Sequence, residues 1–554
     1  MTRLLAAALL CALPARAGVQ VWIAGESEKV RPGAALPARA PARILLSAAG
    51  GECAAAQIVV RSDEGMRGLT ASADPLRGPR GKVGVELSRV ATIALTQPSG
   101  PEGSAGEWPD ALVPVRDAIW NEPRRAFPVD VGSGRAQGIF VEVCAPRGAA
   151  GRYSGAVQLG WAEPKAGRRR SVPVELRVRA FDLPATPELI TAFGFSGYSA
   201  AKGHGKPPQA GRELTRLYDT MALRRGVTLF GGTQDAPDYV ATGDSVRIDW
   251  TGYDAEVAPF LDGTALPSGA RWTAVEMREP ARLTRAQRKS WRRAWVDHFR
   301  ERGWLDRLFV YVQDEPRPED FPRVEERARE LREDAPEVRR LLTTSFSDRL
   351  PDIDMWVPLL NCLDPRAPSC PRAAPRSSYD QLWWYQSCMS HGCGPLRPRD
   401  RDAFVGWPSY MIDAPATAAR TMGWLAFANR VSGELYFDVV HAYGQGDPWE
   451  SQWAFAGNGD GTLYYPGTPA RIGGVHDVPV ESLRVIQIQR SLQDHAYLAL
   501  CARLGDPRLA QAEAQAIAPT LRGWARDPQA YAAARERLSA RIEALWHSRV
   551  TRLR

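Results

Sequence analysis

The rhythm of hydrophobic and polar positions changes near residue 182. Between residues 19 and 180, apolar residues come in short runs or alternate with polar ones, and Gly, Pro or Asp breaks them every few positions. Segments 43–47, 54–61, 138–144, 154–159 and 172–178 read as strands. In the last of these, Val172-Pro173-Val174-Glu175-Leu176-Arg177-Val178 shows the period of two expected of a half-exposed strand. No amphipathic helix interrupts this region, which predicts an antiparallel β-sandwich. Phe181-Asp182-Leu183-Pro184-Ala185-Thr186-Pro187 then reads as a stiff linker.

Beyond the linker the period lengthens. Segment 189–197 reads as a strand, and Leu214, Leu217, Tyr218 and Met221 follow at i, i+3, i+4, i+7, one face of a helix. A strand over 227–230 and a loop-rich stretch to about 281 come next, before a second helical stripe at Trp291, Trp295 and Phe299. The alternation continues with strand 308–315, helix 318–333, strands 340–345 and 355–361, helix 379–387, strand 409–412, helix 416–429 and strand 433–440. Strands alternating with helices over about 250 residues predict a TIM-like (β/α)8 barrel. From residue 479 on, Leu483, Ile486, Leu492, Tyr497 and Leu498 mark a helical segment expected to pack on the barrel. The expected divisions are a leader over 1–17, a sandwich over 18–182, a barrel over 188–478 and a C-terminal helical segment over 479–554.

The leader changes the picture of where the chain works. Arg3 precedes an apolar run from Leu4 to Leu13, and Ala15-Arg16-Ala17 is an A-x-A cleavage signal, so export is expected to the periplasm, cell surface or medium. Leu10 precedes Cys11 where a lipoprotein signal wants a small residue, and no later stretch is long and apolar enough to span a membrane. The remaining seven cysteines are expected to pair in part, leaving at least one free. Cys388 and Cys393 bracket His391, but the spacing suits a local disulfide better than zinc. The formal charge of +8 is spread through helices that also carry acids, which argues against a nucleic-acid partner. No P-loop, dinucleotide fingerprint or nucleophile elbow is present in the sequence, so no cofactor is expected.

The candidate chemistry lies in Leu308-Phe309-Val310-Tyr311-Val312-Gln313-Asp314-Glu315-Pro316, a buried strand ending in two adjacent carboxylates. Pro316 cannot donate to a ladder and is expected to hold Glu315 extended, so the strand stops there. The carboxyl ends of barrel strands are where active sites form. A helix N-cap is the competing structural role for these acids. In a two-carboxylate glycosidase the acids stand about 5 Å or about 6.5–9.5 Å apart. A directly adjacent pair suits instead one proton donor, Glu315, and one residue, Asp314, that orients a nucleophile belonging to the substrate, as on 2-acetamido sugars. Seven of the 18 tryptophans fall between Trp356 and Trp453, and flat aromatic walls bury the C–H faces of sugars. Tyr311, Asn361, Trp384, Trp407, Tyr436, Asp438 and Tyr443 are the candidate substrate contacts. Core packing competes for the aromatics, and a turn role competes for Asn361.

Val312-Gln313-Asp314-Glu315-Pro316 resembles the catalytic strand of glycoside hydrolase family 123 and its relatives. So do Asn458-Gly459-Asp460-Gly461-Thr462-Leu463-Tyr464-Tyr465-Pro466-Gly467, Pro479-Val480-Glu481-Ser482-Leu483-Arg484 and Leu492-Gln493-Asp494-His495-Ala496-Tyr497-Leu498. Ala56-Gln57-Ile58-Val59-Val60 and Gly151-Arg152-Tyr153-Ser154-Gly155 are similar to that group's N-terminal sandwich. The resemblance implies a retaining β-N-acetylgalactosaminidase assisted by the substrate acetamide, with Asp314 orienting that group and Glu315 as acid/base. The chain departs from the pattern in a cysteine-bearing insertion around Cys362–Cys393 and in Gln493-Asp494-His495. The alternative function is a non-catalytic glycan-binding or surface-scaffold protein on an inherited barrel.

Overall fold

The computed structural model describes residues 18–162, 167–231, 236–364, 370, 381–394, 396–397 and 401–552, with side chains of the last helix to 547. The expected leader lies outside these residues.

The N-terminal region is two sheets face to face. One has the order Val19–Gly25, Cys53–Ser62, Arg135–Cys144, Glu86–Leu95, Gly106–Pro114. The other runs Ile44–Gly50, Arg168–Asp182, Gly151–Ala162, Met66–Ala73, Val129–Val131. The alternation seen in 172–178 is realised: Val172, Val174, Leu176 and Val178 point inward onto Ile58, Val60, Ile139 and Val141 of the facing sheet. Pairing is antiparallel except where Ile44–Gly50 lies parallel to Arg168–Asp182. Cys53 and Cys144, opposite each other in register, are disulfide-linked.

The second region is a nearly closed barrel of eight parallel strands: β1 Ile190–Gly194, β2 Leu229–Phe230, β3 Val275–Glu276, β4 Leu308–Gln313, β5 Arg339–Leu342, β6 Met355–Trp356, β7 Gln381–Tyr385 and β8 Gly433–Tyr436. Strands pair in chain order, and β8 returns to β1. At the seam between β2 and β3, hydroxyls replace the ladder. Thr228 Oγ1 accepts the Thr273 N–H at 2.9 Å, and the two threonine hydroxyls lie 3.0 Å apart. The interior is filled by Ala192, Phe309, Leu341, Met355, Trp383 and Leu435, with Tyr311 and Tyr385 packed at its edge. Leu308, Val310 and Val312 face the helix layer instead. This two-sided burial explains the unbroken apolar run in β4.

Several sequence expectations change; the strands expected over 340–345, 355–361 and 433–440 end at Leu342, Trp356 and Tyr436. Residues 381–385 form a strand, not part of a helix over 379–387, because Leu382-Trp383-Trp384-Tyr385 is buried on both faces and gives no helical stripe. Residues 409–411 have no regular structure, and Ile412 sits in a turn. The loop-rich stretch before 281 contains β3 and the helix Thr251–Asp262. The helix Ala416–Asn429 has the expected bounds.

Three helices, Leu483–Leu504, Pro507–Ile517 and Pro528–Arg552, follow the hairpin Tyr464–Gly467/Val478–Glu481. The first is buried on nearly every side, wedged between the helix Ala416–Asn429 and the sandwich. An arginine–carboxylate network runs along it. Arg225 binds Glu142 at 2.8 Å and Glu481 at 2.6 Å, Arg490 binds Glu26 at 2.7 Å and Glu142 at 2.8 Å, and Arg484 binds Asp110 at 2.7 Å. Arg420 binds Asp494 at 2.8 Å, and Arg535 bridges Asp494 and Glu52. Burial alone would push Glu142 up, but the Arg225 and Arg490 guanidiniums outweigh it and bring its pKa down to about 2. Sandwich and barrel are thus joined by ion pairs taken out of water.

Candidate active site

Strand β4 carries Tyr311 inward and delivers Asp314 and Glu315 just past its end, where both are solvent-exposed. Glu315 is not extended. Its φ is +38°, a conformation rare for a residue with a Cβ. Its neighbours impose this geometry. The Glu315 N–H donates to Thr343 Oγ1 at 2.7 Å, and Tyr385 Oη donates to Glu315 Oε1 at 2.5 Å. Pro316, buried behind the turn, anchors the exit. The turn breaks the strand's alternation, so two sequence-adjacent carboxylates reach the same space.

Asp314 is held from the same hub. Tyr311 Oη donates to Asp314 Oδ1 at 2.6 Å, and Thr343 Oγ1 donates to the same oxygen at 3.0 Å. One threonine hydroxyl at the end of β5 therefore accepts from the Glu315 backbone and donates to Asp314. Both phenols are pushed far up in pKa, first by burial and then by the carboxylates they touch. They stay O–H donors over the whole working range. The bonds that hold the two acids come from hydroxyl groups, in contrast to the interface acids (all bound by arginine).

The other candidates are placed as follows. Trp384 is fully buried and points outward into the helix layer; its neighbour Trp383 fills the barrel interior. Tyr436 is also buried on the outer side, where its hydroxyl accepts the Gly461 N–H at 2.7 Å. Tyr443 is buried with its hydroxyl 3.0 Å from that of Tyr218. Trp407 is buried and donates to the Ala403 carbonyl at 2.9 Å. Asn361 is buried in the short 3-10 turn Leu360–Leu363. In this structure none of these five offers an exposed face to a ligand. Asp438 follows β8 at the same end of the barrel as the carboxylate pair. Its Oδ1 accepts the Val440 N–H at 2.6 Å, and burial lifts its pKa to about 7.

Thr343 and Tyr385 were not among the sequence candidates. Each terminates a barrel strand, and only closure of the sheet brings them to residues 314 and 315; reading 381–385 as a strand would have exposed Tyr385 as a strand-end residue. Cys388 and Cys393 are disulfide-bonded, so their sulfurs are not available as thiolate ligands beside His391. Cys362 pairs with Cys370, and Cys501 is free and buried. Among the described residues no helix is long and apolar enough to cross a membrane. A cleft of about 470 Å³ opens at the ends of β1 to β3, lined in part by Phe195, Tyr198, Arg212, Asp249 and Arg278; the carboxylate pair is not in its lining.

Residues 285–501 match the family model described as glycoside hydrolase 123, catalytic domain. The matched region begins in the helix before β4 and runs through most of the helix Leu483–Leu504, so it contains the whole hydroxyl-bound carboxylate site. Among solved structures, the chain is similar to a family 123 glycoside hydrolase from Clostridium perfringens described in a study of glycolipid glycan hydrolysis. The two share 12% identity with a TM-score of 0.65, over 96% of this chain and 99% of that one. A β-glucuronidase from Parabacteroides merdae aligns over 70% of this chain and 45% of its own at 10% identity, with a TM-score of 0.22, too distant to carry an argument. No curated protein matches. The chain resembles glycoside hydrolase family 123, and the match supports a glycoside hydrolase acting on glycans.

Proposed function

We propose that the protein is an exported, retaining β-N-acetylhexosaminidase of the N-acetylgalactosaminidase type that uses the substrate's own acetamide as nucleophile. The observation that carries this reading is the Asp314–Glu315 pair fixed to one hydroxyl hub at the mouth of the barrel. Two carboxylates so close cannot flank a sugar ring from opposite sides, as a protein nucleophile and a separate acid must.

In the first step Glu315 gives its proton to the glycosidic oxygen. The acetamide carbonyl oxygen attacks C1, the C1–O bond breaks, and the aglycone leaves as an alcohol. The positive charge of the resulting oxazolinium is shared with its N–H, which Asp314 accepts. Tyr311 and Thr343 both donate to Oδ1 of Asp314, which leaves Oδ2 for that N–H. In the second step Glu315, now a carboxylate steadied by Tyr385, takes a proton from water as the water oxygen attacks C1. The ring opens back to the acetamide and the anomeric configuration is retained. The exposure of both acids favours this over the scaffold alternative, because a blocked Glu315 could not reach a glycosidic oxygen.

Export is supported by the leader over 1–17 and by three disulfides, which persist in oxidising compartments. The test is release of an aryl group from β-N-acetylgalactosaminide, β-N-acetylglucosaminide and plain β-galactoside. Turnover confined to the N-acetyl sugars and lost in Glu315→Gln and Asp314→Asn is expected. Turnover of the plain galactoside would require a protein nucleophile and overturn the mechanism.

A further inference from the structure

Of the 18 tryptophans, Trp120 alone is exposed, at 41%. An indole carries a large apolar surface that folding normally draws into a core, and every other tryptophan of the chain is buried or partly buried. Trp120 stands in the turn between Gly106–Pro114 and Val129–Val131. Asp117 fixes that turn by accepting the N–H groups of Ile119, Trp120 and Glu122 at 3.0, 2.6 and 3.0 Å. Arg124 Nε donates to the same carboxylate at 2.9 Å.

The indole is held from a second side. The tip of the hairpin Tyr464–Gly467/Val478–Glu481 brings Gly473-Gly474-Val475-His476-Asp477 against this turn. Arg124 Nη1 donates to the Gly473 and His476 carbonyls at 2.7 and 2.8 Å. That approach needs a glycine, because a Cβ on Gly474 would stand 2.1 Å from the same nitrogen. Glu122 Oε2 accepts the Val475 and His476 N–H groups at 2.8 and 3.1 Å, and its Oε1 lies 2.6 Å from His476 Nδ1. The imidazole so fixed stacks on the indole, with centroids 4.5 Å apart and planes at 25°. The indole N–H donates to the Asp477 carbonyl at 3.2 Å. With one face covered and the N–H edge tied, the exposure of Trp120 falls on the opposite face of a ring that is already locked in place.

The surroundings decide what covers that face. Val475, 77% exposed, adds apolar surface in the adjoining loop. The half-exposed His476 imidazole and Lys206 side chain add polar groups. Lys206 lies in the loop that follows β1 and its helix, and it binds Asp477 at 2.9 Å. This ties the platform to the end of the barrel that bears the carboxylate pair. Two apolar side chains are far too few for a protein interface, which buries about 800 Å² on each partner. A flat ring with hydrogen-bonding groups at its margin suits the C–H face and hydroxyls of one sugar. We propose that Trp120, backed by His476, is a second glycan-binding site that stacks a neutral pyranose ring, apart from the centre that cleaves the bond. It rests on the chain acting on glycans and not on which bond Glu315 cleaves. On a surface carrying many glycan chains such a site raises the effective concentration of substrate at the barrel mouth without touching the scissile bond.

The probe is a polymer bearing many copies of N-acetylgalactosamine β-linked to galactose, and the full chain carries Glu315→Gln so that the polymer stays intact during binding. Adding Trp120→Ala is expected to weaken polymer binding about tenfold. Trp120→Phe, which keeps a stacking ring and loses the N–H, is expected to retain most of the affinity. In the chain with Glu315 intact, Trp120→Ala should leave kcat/KM on an aryl β-N-acetylgalactosaminide unchanged, which separates a lost platform from a damaged fold. Polymer binding indifferent to residue 120, an equal loss in the Phe and Ala variants, or a matching fall in aryl turnover overturns the site. A polymer that does not bind at all also overturns it, whatever the aryl glycoside shows. Polymer binding that depends on residue 120, with no turnover of the aryl glycoside, supports the platform and sinks the mechanism proposed above.

Discussion

Two groups of acidic residues in this molecule meet opposite environments. At the junction of sandwich, barrel and C-terminal helices, Glu26, Glu52, Glu142, Glu481 and Asp494 each lie against at least one arginine. At the mouth of the barrel, Asp314 and Glu315 are held by a threonine and two tyrosines. A guanidinium fixes its carboxylate as an anion, because the buried pair loses its compensation once either charge is gone. A hydroxyl donates to a carboxylate at little electrostatic cost if the proton returns. Arginine therefore suits acids that must keep their charge, and hydroxyls leave an acid free to exchange a proton, the part proposed for Glu315.

The largest expected effect breaks the second group. Glu315→Gln removes the proton donor and should lower kcat/KM by about 10²–10⁴-fold, with no change in melting temperature beyond that of a surface substitution. An equal loss of stability would mean Glu315 belongs with the structural acids. The counterpart in the first group is Arg225→Met, which strands Glu481 and leaves Glu142 with Arg490 alone. It should cost about 3–5 kcal/mol in denaturant unfolding. A small loss would show that water reaches the junction.

Glu434 sharpens the contrast, since it is buried like the interface acids yet, among the described residues, bonded only by the Tyr410 hydroxyl. Burial without an arginine lifts its pKa to about 8, whereas Glu142 sits at about 2. The two act on stability with opposite signs. Glu142 contributes stability present above the ordinary carboxylate range and lost as pH falls towards about 2. For Glu434 the folded state holds the proton more tightly than the unfolded one, so stability is greatest below about 4.5 and declines as pH rises to about 8. Glu434→Gln should remove that decline, gaining on the order of a few kcal/mol at the alkaline end and nothing at the acidic end. Parallel stability–pH curves for variant and wild type would sink the assignment.

How far the sequence disclosed this division follows from the range of each signal. The carboxylate pair was legible because a buried strand, two acids and a proline are contiguous. The helix Ala416–Asn429 was legible because Pro415 and a helix-length apolar run mark it. The two-residue strand β3 is too short to show a period, and Trp383-Trp384 hid β7 because both faces are apolar. Trp384, Tyr436 and Tyr443 carry the residue types of a sugar site. Which face of a strand or turn they occupy depends on register, and here register buries them. Thr343 and Tyr385 reach the acids from two other strands, a proximity no local pattern encodes. The arginine network is of the same kind: Glu142 and Arg490 are 348 positions apart.

The finest test removes the same atom from each group. Tyr385 donates its hydroxyl to Glu315 at 2.5 Å, and Tyr497 donates to Glu52 at 2.6 Å. Both rings are buried, so a tyrosine-to-phenylalanine change keeps their packing and deletes one hydrogen bond to a carboxylate, worth about 1.5–3 kcal/mol. Where that energy appears depends on what the carboxylate does. Glu52 also accepts the Ala49 N–H at 2.8 Å and faces Arg535, at the junction with the sandwich and not at the barrel mouth. Tyr497→Phe should therefore lose stability and leave kcat/KM unchanged. Glu315 is exposed, so water can replace the missing donor in the resting protein and stability should hold. During turnover the aglycone and sugar exclude that water as Glu315 becomes an anion, so Tyr385→Phe should lower kcat/KM by about 10- to 100-fold. If both variants lost stability alone, the hydroxyls at the barrel mouth would be structural, and the distinction between the two groups of acids would reduce to burial.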